Sequence, residues 1–407
     1  MVSCRGCSAQ LSLTFLNLGA SPIANDFLSG ETLVSPEVFY PLHVMTCTDC
    51  SLVQIPEVAK REALFRSDYV YFSSYSTSWL EHSQVYAGKM IKLLDLSDQD
   101  LVIEVASNDG YLLQYFKENG VQVLGIEPSS GVAEVAIKKG ISTVIDFFGT
   151  ELAKKLTLNK MPKLLIGNNV LAHVPDLHDF VKGFSLLIAP EGLITFEFPH
   201  LVSLIKNNQF DTIYHEHYSY LSVTSLTPIF ESHGLRITEV ERLNTHGGSI
   251  RIYVVRKDSS WETSDSVSII LREEAENDPR NKIIWQSLQE KTLRVKIDLL
   301  EELVKCKRQG IKVAAYGAAA KGNTLLNYCG IDSDLISFVV DLNPHKQGNY
   351  LPGSRIPIVG LGHLSENTPD VLFVLPWNLA DEINSQLSNF TDAGLKLLRA
   401  VPNLEYF

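Results

Sequence analysis

Two cysteine pairs spaced CxxC near the N-terminus, followed by two separate strand–turn–helix–strand runs, predict an α/β chain in three parts. The parts are a small metal-binding domain over residues 1–70, a doubly wound domain over 71–255 and a Rossmann-like domain over 256–407. With 407 residues, 45% of them hydrophobic, the chain is long enough for two or three domains that each bury a core. A net charge of −12 speaks against a non-specific nucleic-acid binder and leaves room for a local basic pocket. No apolar run approaches the roughly 20 residues of a membrane helix. The opening "MVSCRGCSAQ" lacks the h-region of a secretory signal. The expectation is a soluble, cytoplasmic chain with no membrane or nucleic-acid partner.

The first part rests on Cys4, Cys7, Cys47 and Cys50. Two thiolates separated by two residues chelate one ion from a tight knuckle, and two knuckles complete a tetrahedral zinc site. Four thiolates leave no coordination position open, so one structural zinc ion is expected rather than a catalytic one. "FYPLHVMTC" (39–47) reads as a strand of a small antiparallel sheet entering the second knuckle. Cys306 and Cys329 stand alone and read as core thiols.

The second part begins with "LVIEVASNDGYLLQYFKENGVQVLGIEPS" (101–129), a buried strand, a turn, a helix ending at Gly120 and a second strand ending in Glu127. An acid at that strand end is placed to accept the two hydroxyls of a ribose. The turn carries Ala106, Ser107, Asn108, Asp109 and Gly110, with Glu104 on the strand before it. It is poor in glycine, and a pyrophosphate needs close backbone approach on several sides. The turn suits an adenosine without phosphates, which points to S-adenosylmethionine rather than NAD. "TVIDFFG" (143–149) reads as a strand carrying Asp146 toward an adenine amine. "PKLLIGNNVLAHVPDLHDFVKGFSLLIAPEGLITFEFPH" (162–200) reads as strand, loop, helix, turn and strand. Its loop holds Asn168 and Asn169 where doubly wound sheets bind ligands. "THGGSIR" (245–251) reads as a turn at Gly247 and Gly248 before an edge strand, with His246 and Arg251 as substrate candidates.

Helical, charged sequence over 256–310 links to the third part. "IKVAAYGAAAKGNTLLNYCG" (311–330) is strand, small-residue turn and helix, and later strands are expected near Asp341, at "PDVLFVLPWN" and in "LKLLRAVPNLEYF". No GxGxxG is present. Lys321 and Asn323 lie where a helix opens, and its N–H groups and dipole favour an anion such as the diphosphate of a nucleotide-sugar.

One stretch stands apart. "TIYHEHYSYLS" (212–222) packs two histidines, a glutamate and three tyrosines together. Extended, it places His215 and His217 on one face and Glu216 on the other; a turn lets Glu216 and His217 converge. No HExxH is present, so a helical zinc-protease site is not supported. His215 reads equally well as a structural partner of a backbone carbonyl. Tyr218 and Tyr220 read as packing aromatics, and His178 and His233 as solvated helix residues.

"CRGC…CTDC", "YFSSYS", "EVASNDGYLLQ", "GIEPS", "GNNVLAHVPDL", "EFPHL", "FDTIYHEHYSYLS" and "THGGSIR" together resemble the S-adenosylmethionine-dependent sugar C-methyltransferases of deoxysugar biosynthesis. The resemblance runs over the whole chain and is strongest in 1–255. It implies a class I methyltransferase domain at the centre and C-methylation, at C3, of a dTDP-linked 4-keto-6-deoxysugar by a monomer. It makes His217 the base. Tyr214, Glu216 and His173 are expected to orient the sugar, the base or the enolate oxygen, and Tyr71 to hydrogen-bond the ketone, with Tyr75 of the same segment on the substrate. The C-terminal domain then holds the nucleotide-sugar. Two other readings compete. An NAD-dependent nucleotide-sugar oxidoreductase would use the turn at Gly317 and Gly322 with Asp341. A non-catalytic zinc-knuckle protein would bind nucleic acid or protein, against its acidic charge.

Overall fold

The computed structural model describes residues 2–58, 72–156 and 160–407. The strands are β1 (Leu13–Ser21), β2 (Tyr40–Thr46), β3 (Val53–Gln54), β4 (Leu101–Val105), β5 (Gln122–Ile126), β6 (Thr143–Val144), β7 (Leu164–Asn168), β8 (Leu193–Pro199) and β9 (Ser219–Tyr220). They continue with β10 (Leu235–Leu243), β11 (Ser249–Arg256), β12 (Val313–Tyr316), β13 (Val339–Val340), β14 (Ile358–Val359), β15 (Val371–Val374), β16 (Lys396–Arg399) and β17 (Glu405–Tyr406).

The central sheet runs β10-β11-β8-β7-β4-β5-β6. β8, β7, β4, β5 and β6 pair in parallel, and β11 is inserted antiparallel between β8 and β10. The reversal of order between β4 and β7 opens a crevice at the carboxyl ends of the strands. β4 and β7 read as near-continuous apolar runs because helices cover both faces of the sheet. The helix Thr77–Leu94 closes one face; Ser76 caps its start by accepting from the Trp79 N–H. β11 is interior, not the edge strand expected after "THGGSIR"; the edge is β10, because the hairpin folds β11 back against β8. The strand expected over 143–149 is only Thr143–Val144, so Asp146 lies in the loop beyond it.

The C-terminal sheet runs β14-β13-β12-β15-β16-β17, parallel except for β17. It is Rossmann-like, and the expected last strand is two, β16 and β17, paired antiparallel. The linking helices are Asp265–Glu276 and Lys282–Arg308. Cys306 and Cys329 are buried in this core.

The N-terminal sheet, β1-β2-β3-β9, takes its fourth strand from the connection between β8 and β10 of the central sheet. Its apolar residues Phe15, Leu16 and Val44 join one core with Leu299 and Leu303 of the long helix and Val339 and Phe373 of the C-terminal sheet. Cys4, Cys47 and Leu52 pack on the other side with Leu226 and Ile229, beside the central sheet. The first domain is therefore wedged between the other two. Among the described residues no helix is long and apolar enough to cross a membrane.

Candidate active site

A cleft of about 880 Å³ lies where the carboxyl ends of the central and C-terminal sheets face one another. The loops after β4, β5 and β7 line one side; Ala319, Ala320 and Lys321 after β12 and Pro376 and Asn378 after β15 line the other. Both sheets thus present their topological switch points to one cavity.

On the central side, Glu127 is buried at the end of β5. Its oxygens each accept one backbone N–H, from Asn108 (3.0 Å) and Ser129 (2.9 Å), the Ser129 side chain adds a further hydrogen bond, and the residue lines the cleft. Burial raises its pKa to about 7, against those bonds. The preceding turn is unusual: Ala106, Asn108 and Gly110 all have positive φ (60°, 48° and 77°). Ala106 and Asn108 line the cleft, as do Asp146, Asn168 and Asn169. The Oδ1 atoms of Asn168 and Asn169 are buried and find no partner among the described residues. A buried carboxylate at a strand end and two orphaned amide oxygens fit an adenosyl cofactor with no phosphates.

The rest of the expected cofactor set plays a different part. Glu104 is buried within β4, facing Tyr111, and burial lifts its pKa well above normal. Ser107 lies under Gly125, out of the cleft. Asp109 turns away to the Ser74 hydroxyl, and Lys139 donates to its carbonyl (2.9 Å). Gly110 serves the packing: a Cβ there would meet Ile141 Cδ1 at 2.3 Å. These residues shape the turn from behind.

The segment 212–222 faces the other end of the cleft. After a short 3-10 helix, Phe210–Thr212, the chain makes a turn closed by the His217 N–H on the Tyr214 carbonyl (2.9 Å), then enters β9. The turn brings Tyr214, rather than Glu216, to His217. The Tyr214 hydroxyl lies 2.9 Å from His217 Nε2, with ring centroids 4.0 Å apart. His217 Nδ1 is 2.9 Å from the Thr212 carbonyl, so Nδ1 carries the hydrogen and Nε2 the lone pair. Burial holds the His217 pKa well below normal, with His173 nearby adding to the effect. The His173 ring is 4.6 Å away and donates through Nδ1 to the Glu216 carbonyl (2.7 Å); burial lowers its pKa to about 4. The Glu216 carboxyl points into the first domain and accepts from Asn25 N (3.2 Å) and Nδ2 (3.0 Å). Burial raises it to about 7. His215 is buried against the Pro41 carbonyl (3.3 Å) and Tyr40, the structural alternative of its two readings. Tyr218 and Tyr220 are buried.

All three domains grip this segment. Trp377 Nε1 donates to Asp211 (2.6 Å), Thr324 Oγ1 donates to the Ile213 carbonyl (2.9 Å) and Ile55 N donates to the Tyr218 carbonyl (3.1 Å). Trp377 also lies against Gly247, where φ is +86° and a Cβ would meet the indole at 2.4 Å.

Of the substrate candidates, His246 and Lys321 line the cleft. Lys321 stands in the first turn of the helix Ala320–Cys329, donates to Asn378 Oδ1 (2.6 Å) and lies 4.7 Å from the Trp377 ring centre. Arg251 does not reach the cleft: it is buried between Glu197 (2.5 Å) and Glu241 (3.1 Å). Asn323 is fully buried on the same helix and also misses the cleft. Tyr75 is exposed and stacks on Phe72. Tyr71 lies outside the described residues. His178 and His233 are not solvated singly. They bond each other (3.0 Å), and His178 Nε2 reaches the Gly6 carbonyl of the first knuckle (2.8 Å). Asn25, Trp79, His82 and Lys346 also line the cleft. Sequence reading passed over them, although Trp79 and His82 stand three apart on one helix face, a spacing that places both on the same wall.

The knuckles converge. The sulfurs of Cys4, Cys7, Cys47 and Cys50 lie within 4.8 Å of one another. Zinc–sulfur bonds of about 2.3 Å require sulfur separations of roughly 3.8 Å, so the cage fits zinc after small adjustment. Cys4 Sγ also accepts from Gln54 Nε2 (3.1 Å) and Gly6 N (3.3 Å), as a bound thiolate requires.

Sheet order, the acid at the end of β5 and the four-cysteine cage define a class I S-adenosylmethionine-dependent methyltransferase with a zinc-binding N-terminal domain. Three family descriptions match in series: "Putative zinc binding domain" over 4–65, "Methyltransferase domain" over 79–240 and "C-methyltransferase C-terminal domain" over 244–402. The chain is 35% identical over 400 residues to the C-methyltransferase NovU of Streptomyces niveus, covering 98% of this chain and 95% of that one. It belongs to that C-methyltransferase family. Among solved structures, a magnesium protoporphyrin IX methyltransferase from Synechocystis PCC 6803 with bound SAM is 13% identical over 50% of this chain and 100% of that one, with a TM-score of 0.36. A methyltransferase from Archaeoglobus fulgidus is 15% identical over 43% and 94%, with a TM-score of 0.35.

Proposed function

We propose that the chain methylates a carbon beside the ketone of a nucleotide-linked 4-keto-6-deoxysugar, at C3 of a dTDP-sugar, through an enolate. His217 carries the reading: a neutral imidazole with Nδ1 tied to the Thr212 carbonyl and Nε2 unprotonated in a buried site. Such a group has a lone pair with which to take a proton.

S-adenosylmethionine, when bound, supplies an electrophilic methyl group. Glu127, Ala106, Asn108, Asp146, Asn168 and Asn169 are the residues that would hold it. Lys321, at a helix N-terminus, would receive the diphosphate. As the ketone enters, the Tyr214 hydroxyl turns from His217 Nε2 to the ketone oxygen, freeing the lone pair to take the α-proton. The C–H electron pair becomes the enolate double bond, and the negative oxygen keeps the Tyr214 hydrogen bond. His173 packs against the base and fixes its ring plane. Closure of the cleft by the C-terminal domain excludes water from the carbanion.

The test is a panel of nucleotide 4-keto-6-deoxysugars with S-adenosylmethionine, read as the mass gain of one methyl. The 4-hydroxy counterparts should stay unmethylated. Methylation of the 4-hydroxy sugars, or reduction of nicotinamide in place of methyl gain, would overturn the reading.

A further inference from the structure

His82 stands in the helix Thr77–Leu94 and lines the cleft, yet the chemistry above leaves it idle. Its Nε2 lies 2.9 Å from Glu197 Oε2. Glu197 lies within β8, has no exposed side-chain surface, and accepts from Thr245 Oγ1 (2.9 Å) and Arg251 Nη2 (2.5 Å). Arg251 is held in turn by Glu241 (3.1 Å). Burial works against the Glu197 charge, but His82 and Arg251 outweigh it and hold the pKa below normal. A carboxylate paired to a guanidinium has no hydrogen to give. Arg251 Nη2 also lies 3.2 Å from His82 Nε2, but the carboxylate oxygen at 2.9 Å is the nearer partner and can only accept, so the hydrogen is assigned to Nε2 and the lone pair to Nδ1. Trp79 stacks on the ring at 5.0 Å and fixes its plane. A buried carboxylate behind a histidine that faces a cleft is the arrangement of a proton-transfer dyad.

Position says what the dyad serves. The cofactor-side residues hang on β4, β5 and β7, whereas Glu197 and Arg251 lie on β8 and β11, beyond the switch point. His246 is near both candidate bases: its ring is 5.3 Å from Trp79, it disfavours a charge on His217, and His82 disfavours a charge on it. A ketone flanked by two carbons has two sets of α-protons.

Resting on the 4-keto-sugar reading, we propose that His82, backed by Glu197, is a second proton-transfer residue, acting at the α-carbon on the other side of the ketone from that served by His217. Nδ1 takes the proton, the C–H pair becomes the enolate double bond, and the carbonyl π pair moves to oxygen. Return of a proton to that carbon restores the ketone, so no oxidant or co-reactant is consumed. The activity is hydrogen exchange at the second α-carbon, with inversion when the proton returns to the opposite face.

The test incubates holoenzyme with a nucleotide 4-keto-6-deoxysugar and S-adenosylhomocysteine in deuterium oxide, following both α-protons by NMR. Wild type should exchange both above the enzyme-free rate. His82→Gln should lower the ratio of second-carbon to first-carbon exchange by about 10²-fold, the low end of a positioned base; His217→Asn should raise it. Exchange at the first carbon alone in wild type overturns this inference and leaves the substrate reading standing. Exchange at neither carbon overturns both. An unchanged ratio in a folded His82→Gln protein, checked by its S-adenosylhomocysteine affinity, also overturns the inference. Where His82→Gln does not fold, His82→Asn supplies the same ratio, and an unchanged ratio in that folded variant overturns the inference.

Discussion

Val53 and Tyr220 face one another across an antiparallel pair, so the strand leaving the second zinc knuckle and the strand leaving His217 share one ladder. Between the ligands Cys4 and Cys7, Arg5 adds to this link. It donates to the Ile55 carbonyl (2.6 Å) and the Pro175 carbonyl (3.3 Å), with its guanidinium 5.1 Å from the Tyr218 ring centre. The zinc domain is thus a brace for the segment carrying His217, the proposed base.

This brace predicts how metal loss shows itself. Purified protein should contain about one zinc per chain, and Cys47→Ser should lower the melting temperature. Arg5→Ala should lower turnover by about tenfold or more, since hydrogen bonds from a charged group are worth roughly 1.5–3 kcal/mol each. Its S-adenosylmethionine affinity, measured by calorimetry, should stay near wild type because Glu127 lies on a different sheet. Equal losses of affinity and turnover would refute the brace.

Glu127 makes a prediction in pH. In the proposed cofactor site ribose hydroxyls would donate to its carboxylate form, whereas burial raises its pKa to about 7. Donor affinity should therefore weaken as pH falls below 7, with a proton released on binding in that range. The same raised pKa means that folding gains stability from the protonated form at low pH, and loses it as pH rises from the unfolded value through 7. Glu127→Ala should weaken binding at least about tenfold, near the roughly 1.5 kcal/mol of one charge-assisted bond, and should abolish the proton release. Calorimetry in buffers of different ionisation enthalpy measures both.

His217→Asn should lower turnover by about 10²–10⁴-fold while both ligands still bind. Deuterium should no longer enter the methylated carbon with the demethylated cofactor in place. Because burial depresses the His217 pKa, the base is already neutral at pH 6.5, and the acid limb of kcat should lie below that value. Tyr214→Phe should shift this limb, since the hydroxyl bonded to Nε2 is lost. A kcat profile falling with a midpoint at or above 6.5 would assign the limb to another group.

Gly110→Ala should be strongly destabilising, on the order of 3 kcal/mol, from its left-handed backbone together with overlap on Ile141. Ala106→Gly should be mild or slightly stabilising: it relieves roughly 1–2 kcal/mol of left-handed strain and costs about 0.5–1 kcal/mol of chain entropy. Thermal unfolding of the two variants side by side checks the contrast.

What is local in the chain was legible in the sequence. The CxxC spacing dictates a knuckle because two thiolates two residues apart reach one ion. The apolar runs of β4 and β7 dictate buried parallel strands because both faces are covered. Glu127 follows from its place at a strand end. Long-range partners were not legible. Glu216 sits beside the base in sequence, yet its carboxyl belongs to Asn25, because the turn at 214–217 directs it into the first domain. Arg251 looked free for substrate and is consumed by Glu197 and Glu241, contacts that need β8, β10 and β11 side by side.

By itself, then, the sequence determined the three-part α/β order, the four clustered cysteines, the acid at the end of β5 and the crowding of "YHEHY", because each depends on spacing within one element or one turn. Only the tertiary structure decided that Tyr214 is the partner of His217, that the zinc sheet borrows Ser219–Tyr220, and that Lys321 and Glu127 share one cleft. Those relations are set by buried packing and hydrogen bonding between distant segments, whose polar groups must find partners once water is excluded. No local pattern encodes which distant group will supply the partner.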